Sequence, residues 1–196
     1  MGRARQLVGW FGASPRSGDL GMSVTPWQAE RSGLAVRGVG APGLLGRPLT
    51  AFFASRRCPG AAIRAAADGA LSQARARHAV ISGFHSPLEQ SVLRLLNEAG
   101  SPAVIVLARP VDPAALRVAW RGPLAAGTLA IVSQTNVCAR LTAGLAERRD
   151  DLAAELADDI VIAHADPGGH IAQQSQRWLA HGMRVRRLLD CEPRAG

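Results

Sequence analysis

The chain has 196 residues, 47% of them hydrophobic and 19% charged, with a formal net charge of +8. That balance excludes a disordered chain, and three scattered Cys exclude a disulfide scaffold or a paired-CxxC zinc module. No run reaches the roughly 18 apolar residues of a membrane helix, so no membrane partner is expected.

All 23 basic residues are Arg. Arg without Lys, beside abundant Ala and Gly, is what a GC-rich genome writes, so the position of each Arg carries more weight than the total charge. The N-terminus holds Arg3 and Arg5 but no apolar core of a secretory signal, so a cytoplasmic protein is expected. Residues 1–47 are dense in Gly, are broken by Pro15, Pro26 and Pro42, and keep no helical or strand period. They read as a loosely ordered N-terminal arm. Within it, residues 28–39 can add a short helix or edge strand, and Trp10, Phe11 and Trp27 are placed to pin it to the core.

Residues 48–196 read as one domain with a regular pattern. Short apolar runs at 49–55, 78–82, 103–108, 128–133, 159–163 and 184–189 predict strands. Residues 59–77, 87–99, 113–126, 142–157 and 168–181 predict helices, the third broken near Gly122-Pro123. Ser86 is a candidate N-cap ahead of Pro87, and Gly100 stops that helix. Continuous apolar strands alternating with helices mark an α/β fold: a doubly wound, mostly parallel, Rossmann-like sheet of about six strands with helices on both faces. Ligands of such sheets sit at the carboxyl ends of the strands, near the point where strand order reverses.

Four loops at that edge carry polar chemistry. The first, Ser55-Arg56-Arg57-Cys58, sets a hydroxyl and two guanidinium groups at a helix start, which suits a phosphate. Cys58 has no oriented His partner and reads as a half-buried thiol. The second, Ser82-Gly83-Phe84-His85-Ser86, offers close backbone approach at Gly83, hydroxyls and an imidazole, although it matches neither GxGxxG nor GxxxxGK[ST]. Glu89 reads as a first-turn acid supporting the helix dipole. The third begins at Ser133-Gln134 and continues through Thr135, Asn136, Cys138 and Arg140; the helix after it carries the adjacent Arg148 and Arg149, which cannot share one face. The fourth, His164-Ala165-Asp166-Pro167-Gly168-Gly169-His170, leaves the first amides of its helix without a side-chain cap, a further anion site. His164, Asp166 and His170 find no companion metal ligands and no Ser-His-Asp set stands out, so no metal, cofactor or catalytic residue is assigned.

The succession ASRRCPG, SGFHSPLE and AERRDDLAAELADDIVIAHADPGG resembles the Rossmann-like core of the DNA-processing protein A (DprA/Smf) family, over residues 45–189. Ala54-Ser55-Arg56 is similar to that family's Gly-Ser-Arg turn, Ser82-Gly83-Phe84 to the start of its Ser-Gly loop, and Arg148-Arg149-Asp150 to its Arg-Asn-Arg stretch. The resemblance implies a DNA phosphate pocket in the first two loops, a homodimer, and loading of a recombinase onto single-stranded DNA; the residues themselves carry no signal for a recombinase. Pro167-Gly168-Gly169 also resembles the PGGxGTxxE motif of the related lonely-guy (LOG) phosphoribohydrolases, but Gln174 stands where that motif has its Glu. The expected function is therefore DprA-like binding of single-stranded DNA or a nucleotide. The alternative is a LOG-like enzyme acting on nucleoside 5'-monophosphates, or a nucleotide-signal sensor.

Overall fold

The computed structural model describes residues 24–134 and 142–189. The chain runs β1 (Trp27–Arg31), β2 (Leu34–Gly40), a 3-10 turn (Pro42–Gly46), β3 (Leu49–Ala54), α1 (Gly60–Ala76), β4 (Ala79–Ser82), α2 (Pro87–Glu98), β5 (Ala103–Val106), a second 3-10 turn (Pro113–Ala115), α3 (Val118–Ala125), β6 (Leu129–Ser133), α4 (Ala143–Leu156), β7 (Asp159–His164), α5 (His170–Ala180) and β8 (Val185–Arg187). The strands form one sheet in the order β1-β2-β6-β5-β4-β3-β7-β8. From β6 to β8 all neighbours are parallel, while β1 and β2 are antiparallel. Strand order reverses between β3 and β7, which places the switch point at their carboxyl ends.

The six predicted strands are present as β3 to β8, but the described residues form a sheet of eight strands. The additional pair comes from the Gly-rich segment, whose residues 28–39 are expected from sequence to add a short helix or an edge strand; they form strand, as two antiparallel strands. Ser32 and Gly33 have φ of 54° and 79°, both in the left-handed region, as a two-residue type I′ hairpin requires, and Arg31 pairs directly with Leu34. Trp27 lies across Gly38, where a Cβ would overlap its ring, and its Nε1–H donates to the Gly40 carbonyl at 3.0 Å. Glycine is thus needed there for close approach, and its density hid the strand period. Trp10 and Phe11 lie outside the described residues.

The central strands are apolar on both sides because both sides are covered. Phe53, Ile81, Val104, Val132 and Ile162 face α4, α5 and the first 3-10 turn. Phe52, Val80, Ile105, Ile131 and Val161 face α1, α2 and α3. On the first side the Phe53 and Trp178 rings lie 4.6 Å apart. On the second, α1 presents buried Ala62, Ala66 and Ala70 at helical spacing, so the helix lies close to the sheet.

Arg31 ties the hairpin to the rest of the domain. Its guanidinium donates to the carbonyls of Leu156, Leu45 and Arg47 and to Asp158 Oδ2 at 2.7 Å. Leu156 ends α4, so its carbonyl has no partner within the helix.

The helix expected over 113–126 is broken at Leu116–Arg117 and not at Gly122-Pro123. Asp112 accepts the Ala114 N–H at 2.9 Å and starts a separate turn, Leu116 drops into the core, and α3 begins after Arg117. Pro123 is tolerated inside α3 because, in so short a helix, its missing donor forfeits one bond. No helix among the described residues is long and apolar enough to cross a membrane.

Candidate anion-binding site

The loop after β4 is built on strained backbone. Phe84 has φ of +50° although its ring is buried, and its N–H is held by Ser82 Oγ at 3.1 Å. A bulky residue in the left-handed region is uncommon and is found where surrounding packing dictates it. The turn leaves His85 exposed between buried Phe84 and Ser86. Gly83 sits directly against Arg149, where a Cβ would overlap the Nε, Cδ and Cζ atoms.

Glu89 organises the same loop from within. Its buried carboxylate accepts the N–H groups of Ala54 at 3.0 Å, His85 at 2.8 Å and Ser86 at 3.0 Å. Ser86 Oγ in turn accepts the Glu89 N–H at 3.2 Å, which completes a capping box at the start of α2. Burial pushes the Glu89 carboxyl up, against the pull of these three backbone donors. The amides of His85 and Ser86 are therefore turned inward, and the loop presents His85 and the Gly83 backbone to the site.

Arg149 is buried and Arg148 is exposed. Arg149 donates twice to Asp150 Oδ1, from Nε at 2.8 Å and from an Nη at 2.7 Å. The other Asp150 oxygen faces His170 Nε2 at 3.6 Å. Burial pushes the Asp150 carboxyl up, opposed by Arg149 and His170.

Cations converge on His85. Although one side of its ring reaches the surface, its pKa is lowered to about 4, first by the loss of water on the side packed against the protein and then by the charges of Arg149, Arg117 and Arg56. These come from α4, the N-cap of α3 and the loop after β3. Beside His85 lies a groove of about 580 Å³, walled by Phe84, Leu93, Ile105 and Trp120. Arg94, Arg109 and Arg117 also line it, and the Arg117 Cζ lies 5.1 Å from the centre of the Trp120 ring. A second cleft of about 230 Å³ is lined by Gln134, Arg148 and Arg149; Leu107 and Ala108 line both cavities, so the two meet at the end of β5.

The switch point itself has a different character. Ser55 Oγ accepts the Asp166 N–H at 2.9 Å, and His164 Nε2 lies 3.1 Å from Asp166 Oδ1. Cys58 donates to the Ser55 carbonyl at 3.2 Å, and its thiol is pushed up by burial, by Asp166 and by Glu89. Helices α1 and α5 start here without a side-chain cap or a first-turn acid. The Pro167-Gly168-Gly169 turn closes on itself, with the Gly169 N–H on the Asp166 carbonyl at 2.9 Å and Gln173 on the Gly168 carbonyl at 3.0 Å. The carboxyls of Asp166 and Glu89 act on Cys58 at this corner, and the guanidinium groups of Arg149, Arg117 and Arg56 act on His85.

The predicted residues thus fall into groups. Gly83, Phe84, His85, Arg148 and Arg149 line the two cavities at the carboxyl ends of β4 and β5, whereas Arg56 is exposed on the loop after β3 and lines neither. Ser55, Pro167, Gly168 and Gly169 lie at the β3–β7 switch point, Arg57 is exposed and lines neither cavity, and Ser82, Ser86 and Ser133 are buried. Thr135, Asn136, Cys138 and Arg140 lie outside the described residues. Sequence reasoning missed Arg117 and Trp120; a cation three residues before an aromatic at a helix start is the signal that could have found them. Gln174 is fully buried, with its Nε2 on the Glu147 carbonyl at 3.2 Å and Asp151 Oδ1 at 3.1 Å. Among the described residues no group of His, Cys, Asp and Glu is placed to hold a metal ion.

No protein-family model matches the chain, and no curated protein matches its sequence. Solved structures do match it. The fold is similar to that of DNA processing protein A. DprA from Streptococcus pneumoniae aligns with a TM-score of 0.64 at 15% identity, over 78% of this chain and 54% of that one. This chain therefore spans about half the length of that protein. DprA from Helicobacter pylori, described for its single-stranded DNA binding mode, aligns with a TM-score of 0.64 at 16% identity, over 78% of this chain and 71% of that one. At these identities the likeness to DprA is one of fold.

Proposed function

We propose that the chain holds single-stranded DNA, or a nucleotide, by its phosphates at the carboxyl edge of the sheet, as a DprA-like protein of DNA processing. The observation that carries this reading is the placement of Arg94, Arg109 and Arg117 around the open groove beside His85, with Arg148 and Arg149 on the cleft that meets it. Guanidinium forks in a partly buried corner form charge-assisted bonds with phosphate oxygens. The fold likeness to DprA, one member of which is described binding single-stranded DNA, supports the same ligand. Binding is favoured over cleavage of an N-glycosidic bond, because Glu89 is engaged by three backbone donors and Gln174 is buried between α4 and α5. A homodimer and a cytoplasmic location belong to the same reading.

Fluorescence anisotropy with single-stranded oligonucleotides and with mononucleotides, at two salt concentrations, tests it. Oligonucleotide affinity is expected to fall steeply with salt, since each neutralised phosphate releases counterions. Arg56→Ala is expected to weaken binding by about 1.5–3 kcal/mol. No oligonucleotide binding at low salt defeats the proposal, and an unchanged Arg56→Ala affinity places the phosphate elsewhere.

The His85 imidazole supplies a second measurement. Its folded pKa of about 4 lies below the ordinary value of 6.5. The unfolded chain therefore holds more protons between these values, so stability linked to His85 is complete above about pH 6.5 and is lost as pH falls through about 4. A bound phosphate offsets the Arg field and raises the folded pKa, so binding takes up a proton and tightens as pH falls across that window. NMR titration is expected to find His85 neutral at pH 6 in the free protein and shifted upward with ligand. A free-protein midpoint near 6.5 would mean that the cations do not act on it.

A further inference from the structure

We propose that the amino edge of the sheet, opposite the candidate site, is a second nucleic-acid surface, which holds the phosphate backbone of duplex DNA through Arg47, Arg75, Arg77 and Arg184. The backbone of Arg77 points to it. This residue caps α1 in the left-handed region, with φ of 52° and ψ of 30°, and it is exposed. Helices α2, α3 and α5 meet the same turn with glycine, at Gly100, Gly127 and Gly182, whose φ values are 60°, 70° and 76°. Glycine enters this region without steric cost, so α1 alone of the four keeps a side chain there against that cost. The other non-glycine residues with positive φ, Ser32 and Phe84, serve the hairpin and the loop after β4. Support of the helix dipole does not account for Arg77, because Arg75 already places a cation in the last turn. Among the described residues the Arg77 guanidinium has no hydrogen-bond or ion-pair partner. A strained residue whose side chain bonds nothing within the fold is one kept for a contact outside it.

Neighbouring strands supply the rest of the surface. β4, β3, β7 and β8 lie side by side, and Arg77, Arg47 and Arg184 stand just before the first residues of β4, β3 and β8. Backbone bonds tie these starts together: the Ala79 N–H donates to the Pro48 carbonyl at 3.4 Å, and the Ile160 N–H to the Arg184 carbonyl at 2.8 Å. At the ordinary strand spacing the row is about 14 Å long. Arg47, Arg75, Arg77 and Arg184 are all exposed, and none has an acid partner among the described residues. The acids between them are already engaged. Asp158 holds Arg31 and the Leu49 N–H, and Asp159 holds Arg186 and the Thr50 hydroxyl. The row is thus a run of uncompensated cations, which suits a polyanion. No aromatic ring is exposed among the described residues, so the edge offers neither a stacking platform for unpaired bases nor the aromatic anchor of a protein interface. It meets the sugar-phosphate backbone alone, which a duplex presents at higher charge density than a single strand.

Anisotropy of the full chain with a duplex of about 20 base pairs, at about 50 and 200 mM salt, tests the surface. Each neutralised phosphate makes affinity fall about 3.5-fold between those concentrations, so four arginines give a fall of about 150-fold. Arg77→Gly is expected to reduce that fall to about 40-fold, and Arg77→Gly combined with Arg184→Ala to about 12-fold, with single-strand affinity kept within about twofold. The melting temperature of Arg77→Gly is expected to be unchanged or higher, because glycine relieves the left-handed turn, so its loss of duplex binding does not come from unfolding. An unchanged salt dependence in the double variant overturns the proposal, as does absence of duplex binding at the lower salt. Either result leaves the carboxyl-edge reading standing, and absence of single-strand binding by the unmodified protein defeats that reading alone. Equal losses of single-strand and duplex affinity in the double variant also overturn the proposal, since one surface would then carry both. Polyglutamate bound more tightly than a duplex of equal charge overturns the choice of nucleic acid and assigns the edge to an acidic protein segment.

Discussion

Gly83→Ala is expected to remove most phosphate-dependent binding while the protein stays folded. A Cβ at this position would lie within the Arg149 side chain, so that side chain must move. It cannot move freely: Arg149 is 8% exposed and holds Asp150, itself buried, by two short bonds. Accommodating the methyl costs about 1–3 kcal/mol of stability, as overpacking of a filled interior does. Losing a charge-assisted contact to phosphate costs about 1.5–3 kcal/mol of affinity, roughly 10- to 100-fold. The same change takes the largest of three cations away from His85, whose midpoint is expected to rise from about 4. A Gly83→Ala protein with unaltered affinity and an unaltered His85 titration would remove Arg149 from the site.

Arg31→Ala is the second large effect, on stability and not on binding. Four acceptors lose a donor together: the carbonyls of Leu156, Leu45 and Arg47, and Asp158 Oδ2. The Asp158 side chain is 57% exposed, so the ion pair itself is screened and adds little. The partly buried carbonyls of Leu156 and Leu45 dominate, because an acceptor left without a partner away from water carries its desolvation cost, whereas the exposed Arg47 carbonyl turns to water. Together the loss is expected to be about 3 kcal/mol, or roughly 6–12 °C in Tm for a chain of this length. Arg31→Lys keeps the charge but cannot span acceptors on several sides, and is expected to recover only a fraction. Asp158 also holds the Leu49 N–H at 2.8 Å, at the amino ends of β3 and β7. This lies at the opposite edge of the sheet from His85, so the folded Arg31→Ala protein is expected to bind with unaltered affinity. Urea unfolding and anisotropy separate the two outcomes.

How far the sequence could be read followed from where each signal is stored. The six parallel strands were legible because burial on both faces turns each into an unbroken apolar run, as in AVIV and LAIVS. Ser86-Pro87-Leu88-Glu89 was legible as a helix start because a capping box is local. The hairpin was legible only as a possible edge strand over residues 28–39, because its pairing resides in positive φ at Ser32 and Gly33 and in the seat of Trp27 on Gly38, neither of which leaves a hydrophobic period. The loops of the candidate site were found by their place after strands, but their division was not: what separates Gly83 from Gly168 is which charges stand nearby, and that is tertiary. Arg117 escaped notice because the break expected at Gly122-Pro123 put it in mid-helix. With the break at Leu116–Arg117 it becomes an N-cap beside the groove.

The hairpin also decides how this sheet ends. Without it, β6 would close a parallel sheet with an open row of peptide groups, a template onto which a second molecule could add strands. Instead β2 satisfies that row, and the outermost strand among the described residues, β1, is five residues long and carries Glu30 and Arg31. At the other margin β8 has three residues, two of them Arg186 and Arg187. Some of the arginines that first looked like mere codon usage thus stand on the two margins, where short strands and charge oppose growth into fibres.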